Sequence, residues 1–546
     1  MKNNSAFFPQ VLAALGVCVP LAVFLSTGLQ GIDFGFHWDE EKILVLVRQT
    51  LQSGLFLPRW YRYPSFSYWL SLTALLPHVR AAVQQVGWDG HALLAHLLLV
   101  VETPAFFLQM RKVFLLVSSL TAVWVYIQGA VRRRGWGEAL LAAGLVALSW
   151  EAAYHSRWIA PDALMMQFGA LTLLLVTLAL EKPEQRGWLA AAALSAGLAC
   201  STKYPGGLLL LPVLAAAFWR RPVAHLSHRL IAVVWVTLLF AAAYLLVTPG
   251  TLLEPVTFFK DIAYELRHYA GSYEAQTVSP GLPHLGLMLL YFSSALFSHS
   301  APVGWVFFGL ALLGIYALLR ESRLKALVFL CFPVVYVGYF STQGVMIVRN
   351  LLVTLPFWAI LAGRGAALVL GWLPQRTWRF AWAGLLAGLL VLNALWLVSA
   401  AQSIRLRGTD AYLRQFNDYA ARNPQVTFYL SEPAWQAWEK LGQGGEAARN
   451  VRRLADVDVN LPAAQFCQEQ NGRVVAFAQE RKDVLVRWGK DDLGEFIPTR
   501  NTQIFGAWDV NFIYYPLWAG EDRLLVLHTE KACRLGVYPA AALRAP

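Results

Sequence analysis

Apolar runs dominate the chain as far as residue 400 and then stop. Stretches of spanning length, roughly 17–25 residues or slightly shorter, predict membrane helices at Phe8–Leu29, Val113–Val131, Ala139–Ala153, Ala163–Leu180, Trp188–Cys200, Gly206–Trp219 and Leu230–Val247. After a long loop come Val303–Leu319, Ala326–Phe340, Asn350–Leu370 and Phe380–Ala400, giving about eleven crossings. Basic residues punctuate this pattern in alternate short loops: Arg132-Arg133-Arg134, Lys182 with Arg186, Arg220-Arg221 with Arg229, Arg320-Arg323-Lys325, and Arg376 with Arg379. Positive charge is retained on the cytoplasmic side. The N-terminus is therefore expected inside, and the long loops 31–110 and 248–302 outside. The first run is longer than a signal-peptide core and has no small-residue cleavage site, so it is expected to be an anchor.

Within the first outer loop, Glu40–Ser53 has Ile43, Leu44, Leu46, Val47 and Leu51 on one face, and Gly54 follows it. That predicts an amphipathic helix able to lie on the bilayer surface. Pro64 holds Tyr63 out of helical space and starts a new apolar helix running to Leu76. Ala92–Met110 is apolar enough to cross as well. An additional crossing would move the triple Arg to the wrong side, so none is assigned. In the second outer loop, Leu285–Phe297 is expected as a re-entrant or surface helix.

Beyond Ala400 the period changes. Short apolar runs at Val426–Leu430, Val474–Phe477, Val484–Trp488, Phe512–Tyr515 and Leu524–Leu527, separated by turn residues, predict strands of a soluble α/β domain over 401–546. Eleven crossings put this domain outside. The fold class expected is a polytopic α-helical membrane protein, with residues 1–400 as the membrane domain and 401–546 as an extracytoplasmic α/β domain.

Composition agrees with that division. The chain is 57% hydrophobic and 14% charged, where a soluble domain carries about 25% charge. Its formal charge of +12 is unevenly spread: 16 acids and 27 bases precede residue 401, against 17 and 18 after it. The excess belongs to the membrane part, which argues for lipid and against nucleic acid as a partner. Cys467 and Cys533 lie in the tail and are able to pair in an oxidising compartment; Cys18, Cys200 and Cys331 lie in apolar runs. Neither a P-loop nor a dinucleotide fingerprint is present.

Candidate chemistry collects where predicted helices meet the outer side. Gly35-Phe36-His37-Trp38-Asp39-Glu40-Glu41 follows the first span. Asp39 suits a helix cap, and equally a general base at the membrane rim. Ser149 to Asp162 contains Glu151, His155, Arg157 and Asp162; ionisable groups at a helix junction must pair or face water, and an Arg157–Asp162 pair is one way to satisfy them. Lys203 in Lys203-Tyr204-Pro205 sits between two apolar runs, placed either to snorkel or to meet an anion. Arg349 opens a late span, where a guanidinium can hold a phosphate. The histidines and carboxylates have no compact ligand spacing, so a divalent metal is possible but not indicated, and no cofactor is assigned.

The order His37-x-Asp39-Glu40, Tyr63-Pro64 with Tyr68-Trp69-Leu70, Arg157 and Asp162, Lys203-Tyr204-Pro205, and Arg349 with Pro356 in the same span resembles the GT-C glycosyltransferases. Within them it is most similar to the branch holding protein O-mannosyltransferases and lipid A aminoarabinose transferases. The resemblance covers roughly residues 8–400. It implies an inverting transfer of a sugar from a polyprenyl-phosphate donor to a hydroxyl on a protein, lipid or glycan, at the outer membrane face. It further implies that Asp39, Glu40 and Asp162 are the catalytic acids, that Lys203, Arg349 and Arg62 contact the donor phosphate, and that His37, Tyr63, His155, Arg157 and Tyr204 line the cavity. One departure stands out. The aminoarabinose transferases carry Glu-Lys before Pro-Pro, whereas here Arg62-Tyr63 precede Pro64-Ser65, so the metal-binding acid is missing. A transporter or flippase for a lipid-linked saccharide is the alternative class; it would be expected to show repeated halves and midplane charges, and neither is evident.

Overall fold

The structure, a computed structural model, describes the backbone of residues 7–30, 32, 38–131, 135–219, 225–271, 277–405, 409–440, 449–456, 466–469, 471–477, 495–496 and 524–534. The described residues form two compact units, one before Ala400 and one from it onward. The first opens with α1 (Phe7–Leu29) and α2 (Trp38–Ser53), then α3 (Phe66–Thr73), α4 (Leu76–Val86), α5 (Gly90–Val101) and α6 (Pro104–Val131). The amphipathic pattern of α2 is realised: Ile43, Leu46, Val47 and Leu51 are buried in a cluster with Leu97 and Val101 of α5 and Phe106, Met110 and Phe114 of α6. Gly54 ends α2 at a φ of 67°, a left-handed conformation that glycine adopts without strain. The apolar stretch 92–110 is divided between α5, whose N-terminus Asp89 caps by accepting from the amides of His91 and Ala92, and the long α6.

Next come α7 (Trp136–Ala147), α8 (Trp150–His155), α9 (Pro161–Glu181) and α10 (Arg186–Thr202). The run 139–153 is broken in two. Ser149 turns the chain out of α7 and caps α8 by accepting from the Ala152 amide, while its own hydroxyl donates to the Leu296 carbonyl. A serine with such partners competes with helix continuation. A 3-10 turn at Tyr204–Leu209 leads into α11 (Leu210–Trp219), followed by α12 (Leu226–Val247), α13 (Gly250–Leu253), α14 (Pro255–Ala270), α15 (Leu282–Ser294), α16 (Ala301–Glu321) and α17 (Arg323–Ser341). A second 3-10 turn, Val348–Thr354, precedes α18 (Leu355–Trp372), and α19 (Arg376–Arg405) closes the unit.

Seven stretches among the described residues are helical, long and apolar enough to cross a membrane: Ala105–Val131, Pro161–Glu181, Leu226–Val247, Ala301–Glu321, Arg323–Ser341, Val348–Trp372 and Arg376–Gln402. Gly16–Leu29, Gly90–Val101, Trp136–Ala147 and Tyr204–Trp219 are shorter apolar helices. The protein is thus a polytopic helical membrane protein, with several of the eleven expected crossings shorter than a full span. In α9, 89% of the most apolar stretch is buried, against 11% in α12. The first is therefore the centre of the bundle, and the second offers Ile231, Val234 and Leu238 to lipid.

Helices α16 and α18 approach so closely that only glycine fits at two points. A Cβ on Gly314 would fall on the Leu361 carbonyl, and one on Gly365 on the Leu310 carbonyl. Such small-residue contacts let backbones pack where lipid gives no hydrophobic drive for association.

In the second unit, α20 (Thr409–Arg422) and α21 (Glu432–Lys440) accompany β1 (Thr427–Leu430), β2 (Val451–Arg453), β3 (Gly472–Phe477), β4 (Glu495–Phe496) and β5 (Leu524–His528), and α22 (Thr529–Arg534) follows. The sheet order is β2-β1-β3-β5-β4, with β1 parallel to β2 and β3, and β5 antiparallel to β3 and β4. Phe416, Phe428, Leu430, Trp438, Val451, Val475 and Val526 form its core. Three of the expected strands match β1, β3 and β5; β2, only three residues long, has no legible alternation. The expected strands 484–488 and 512–515 lie outside the described residues. Cys467 and Cys533 are disulfide-bonded, 66 residues apart.

Two stability outcomes follow. Gly314→Val should cost about 3 kcal/mol or more, whereas Gly309→Val on the same helix, where an added Cβ meets nothing within 4 Å, should cost little; thermal unfolding and size exclusion of the purified variants measure both. Replacing Cys467 and Cys533 together by Ser should destabilise the second unit by about 4 kcal/mol, the loop-closure value for such a span, read from chemical denaturation followed by tryptophan fluorescence.

Candidate functional site

The first turn of α2 carries the leading sequence candidates. Glu40 is fully buried and receives a fork of hydrogen bonds from Arg111 on α6, Nε to Oε1 at 2.9 Å and Nη2 to Oε2 at 2.5 Å. The amide of Ile159 donates to the same Oε1 at 2.9 Å, and Arg111 Nη1 donates to the Ile32 carbonyl at 2.6 Å. A bidentate guanidinium–carboxylate pair fixes both position and orientation. Glu40 thereby ties α2 to α6 and to the segment before α9. α2 begins at Trp38, so the backbone of Asp39 is in its first turn and not at the cap. The side chain of Asp39, and His37 altogether, lie outside the described residues.

Three helix ends bring together the second group. Asp162 is the second residue of α9, behind Pro161, which suits the first helical position. Lys203 follows the last residue of α10, and Arg349 lies in the 3-10 turn before α18. Lys203 Nζ donates to Asp162 Oδ1 at 2.7 Å and to Asn350 Oδ1 at 2.5 Å, while Arg349 Nε lies 3.5 Å from Asp162 Oδ2. All four side chains are at most 5% exposed. An acid in the first turn of one helix and a base at the end of another each meet the favourable end of a helix dipole. The Tyr63 ring centre is 5.8 Å from Lys203 Nζ, and the Trp158 ring centre 5.8 Å from Arg349 Cζ, distances at which an aromatic face attracts a cation. Asn350 holds the group in place: Tyr336 donates to its backbone carbonyl at 2.6 Å, and its Nδ2 donates to the Tyr269 hydroxyl at 3.3 Å.

The remaining candidates from the 149–162 segment are separate. Arg157 does not pair with Asp162. Its Nη2 and Nη1 donate to the carbonyls of Thr27 and Gln30, at 2.9 and 3.4 Å, capping the end of α1. His155 packs edge-on against the rings of Tyr154 and Trp158, with Nε2 3.6 Å from Glu151 Oε2, and Tyr291 donates to that same Glu151 oxygen at 2.7 Å.

Arg62 lies in the loop between α2 and α3, which Tyr204, at the start of the 3-10 turn after α10, helps to fasten alongside α13 and α14. The guanidinium of Arg62 is 3.5 Å above the centre of the Tyr264 ring. Tyr204 donates to the Tyr61 carbonyl at 2.6 Å; the Tyr61 amide donates to Asp261 at 2.6 Å and its hydroxyl to Glu254 at 2.5 Å. Burial, and then the Glu254 carboxylate, push the Tyr61 hydroxyl well above its usual range, so it stays a donor at neutral pH. Among the described residues no three His, Cys, Asp or Glu side chains stand close enough to hold a metal.

Several members of these groups escape a sequence reading. Arg111 is a charge just inside an apolar helix, a legible signal, but its partner is 71 residues away. Asn350, next to Arg349, and Tyr269, Tyr336 and Tyr291 have ordinary sequence surroundings. Nothing local marks them.

Residues 92–249, which include Asp162 and Lys203, match the model of the family described as dolichyl-phosphate-mannose-protein mannosyltransferase. No curated protein matches the chain. Among solved structures, ArnT from Cupriavidus metallidurans in the apo state overlaps with a TM-score of 0.45 at 14% identity, covering 98% of this chain and 99% of that one. The same protein bound to undecaprenyl phosphate gives 0.43 at 15%, covering 96% and 98%. The Archaeoglobus fulgidus oligosaccharyltransferase in complex with Zn and sulfate gives 0.43 at 13%, covering 87% and 71%. The matched segment, within the membrane unit, is thus similar to the dolichyl-phosphate-mannose-protein mannosyltransferases.

Proposed function

We propose that this enzyme moves a sugar from a polyprenyl-phosphate donor to an acceptor hydroxyl at the extracytoplasmic face, with inversion at the anomeric carbon. The observation that carries the reading is the buried convergence of Lys203 and Arg349 on Asp162, two cations held at helix ends beside the aromatic faces of Tyr63 and Trp158. The matched family's description, which names a dolichyl-phosphate sugar, supports the donor class.

In this mechanism Asp39 accepts the hydroxyl proton as the acceptor oxygen bonds to the anomeric carbon and the bond to the phosphate oxygen breaks. The lipid phosphate departs already ionised and requires no general acid. Lys203 and Arg349, with Arg62 approaching from the loop, stabilise the charge that grows on it. Asp162 sets the positions of the two cations, and Glu40 holds the first turn of α2, which carries the backbone of Asp39. In this reading Tyr63, His155, Arg157 and Tyr204 line or brace the cavity. On this reading residues 1–400 are the catalytic membrane domain, with the N-terminus cytoplasmic, and 401–546 are an extracytoplasmic domain.

Two outcomes test it. In detergent-solubilised protein supplied with a polyprenyl-phosphate sugar and a hydroxyl acceptor, Asp39→Asn should lower kcat by about 10²–10⁴-fold, the usual contribution of a positioned base, with donor binding retained. Full turnover by this variant would sink the assignment, and no turnover by the parent enzyme with any such donor would favour a transporter. Lys203→Met should lower kcat by about 10²–10³-fold and also weaken retention of the lipid phosphate product in a filter-binding assay; unchanged retention would remove Lys203 from the donor site.

A further inference from the structure

At the opposite end of α18 from Arg349, about 20 Å along the helix, the ends of α16 and α18 and the start of α7 enclose a groove of about 680 Å³. Its lining combines both signs of charge with aromatic rings: Glu138, Arg320, Glu321, Arg364, Tyr316 and Trp372. Arg364, 5% exposed, is ion-paired with Glu321. Lys325 reinforces that pair, 3.5 Å from Glu321 and 2.8 Å from Glu181. Arg320 stands differently. Among the described residues its guanidinium makes one hydrogen bond, from Nε to the Tyr316 hydroxyl at 2.9 Å, and the residue is exposed.

The surroundings belong to a bilayer. Trp305, Leu312, Tyr316 and Leu319 recur at helical spacing along α16 and are 45–49% exposed, forming one apolar stripe that leads to the groove. Trp372 on α18, 59% exposed, flanks it. Aromatic rings at the ends of spanning helices mark the headgroup layer. A ligand suited to this place has an apolar portion to lie on the stripe and a head with a negative and a positive group to meet Arg320 and Glu138.

We propose that the groove is a binding site for a zwitterionic phospholipid headgroup, a phosphoethanolamine, in the leaflet remote from Asp162. Arg320 takes the phosphate, Glu138 the ammonium, and the Arg364–Glu321 pair forms the floor. Acyl chains run along Leu319, Leu312 and Trp305. The site is independent of the sugar-transfer reading.

Native mass spectrometry of the full-length protein in detergent, titrated with phosphatidylethanolamine, tests this. The parent protein should retain one lipid at least ten-fold more tightly than Arg320→Gln, an exposed substitution that leaves the helix intact, and than the paired Glu321→Gln/Arg364→Gln variant. Equal retention by Arg320→Gln would overturn the proposal. So would equal binding of phosphatidylglycerol, which lacks the ammonium, or displacement of the lipid by equimolar glycerophosphoethanolamine, which would make the ligand a soluble phosphate ester.

Discussion

A carboxylate and an ammonium taken out of water each lose several kcal/mol of hydration, and Asp162 and Lys203 are both within 4% of complete burial. That cost is offset because each meets the other at 2.7 Å and because Asn350 and Arg349 fill further coordination directions. This requirement fixes more than two side chains. It obliges the start of α9, the end of α10 and the turn before α18 to arrive at one point, and α9 is the element around which the bundle is packed.

The same constraint acts a second time at Glu40 and Arg111. Here the pair joins α2, which is not itself a spanning helix, to α6 and to the Ile159 backbone. An amphipathic helix held only by its apolar face would be free to slide or rotate by a residue. The forked pair at its first turn removes that freedom. Removing either partner would strand a buried charge at a cost of about 3–5 kcal/mol, so the position of α2, and of the Asp39 backbone in the same turn, is set by a contact between residues 71 positions apart.

Around these two clusters the chain uses short polar stitches in place of long elements. Tyr61 bonds to Asp261 and Glu254, Tyr204 bonds back to Tyr61, and Trp69 donates to the Val247 carbonyl. Gly250 lies directly against the Tyr61 ring, where any side chain would collide. Together these contacts hold the loop bearing Arg62 and Tyr63 against α12, α13 and α14. The segment in which Pro64 starts an apolar helix is in this way also part of the framework around Lys203.

The sequence by itself determined the membrane class, the positions of most apolar helices, the amphipathic face of α2, three strands of the tail and the candidate acids and bases at helix ends. Each is written in a local period or in the cost of placing one charge in an apolar run, and such signals need no knowledge of distant residues. The tertiary structure alone decided the partners. Arg157 reads as the natural mate of Asp162 five residues on, yet it caps α1, and Asp162 turns to Lys203 and Arg349, 41 and 187 positions away. It also decided that Glu40 is spent on Arg111, that Ser149 breaks a run that composition alone would let continue, and that Asn350 joins Lys203 to Tyr269. Which of several compatible ions pair depends on how the helices pack, and that packing is set by close approaches such as those at Gly314 and Gly365, where the fit of two surfaces far apart in sequence leaves no periodic trace in either.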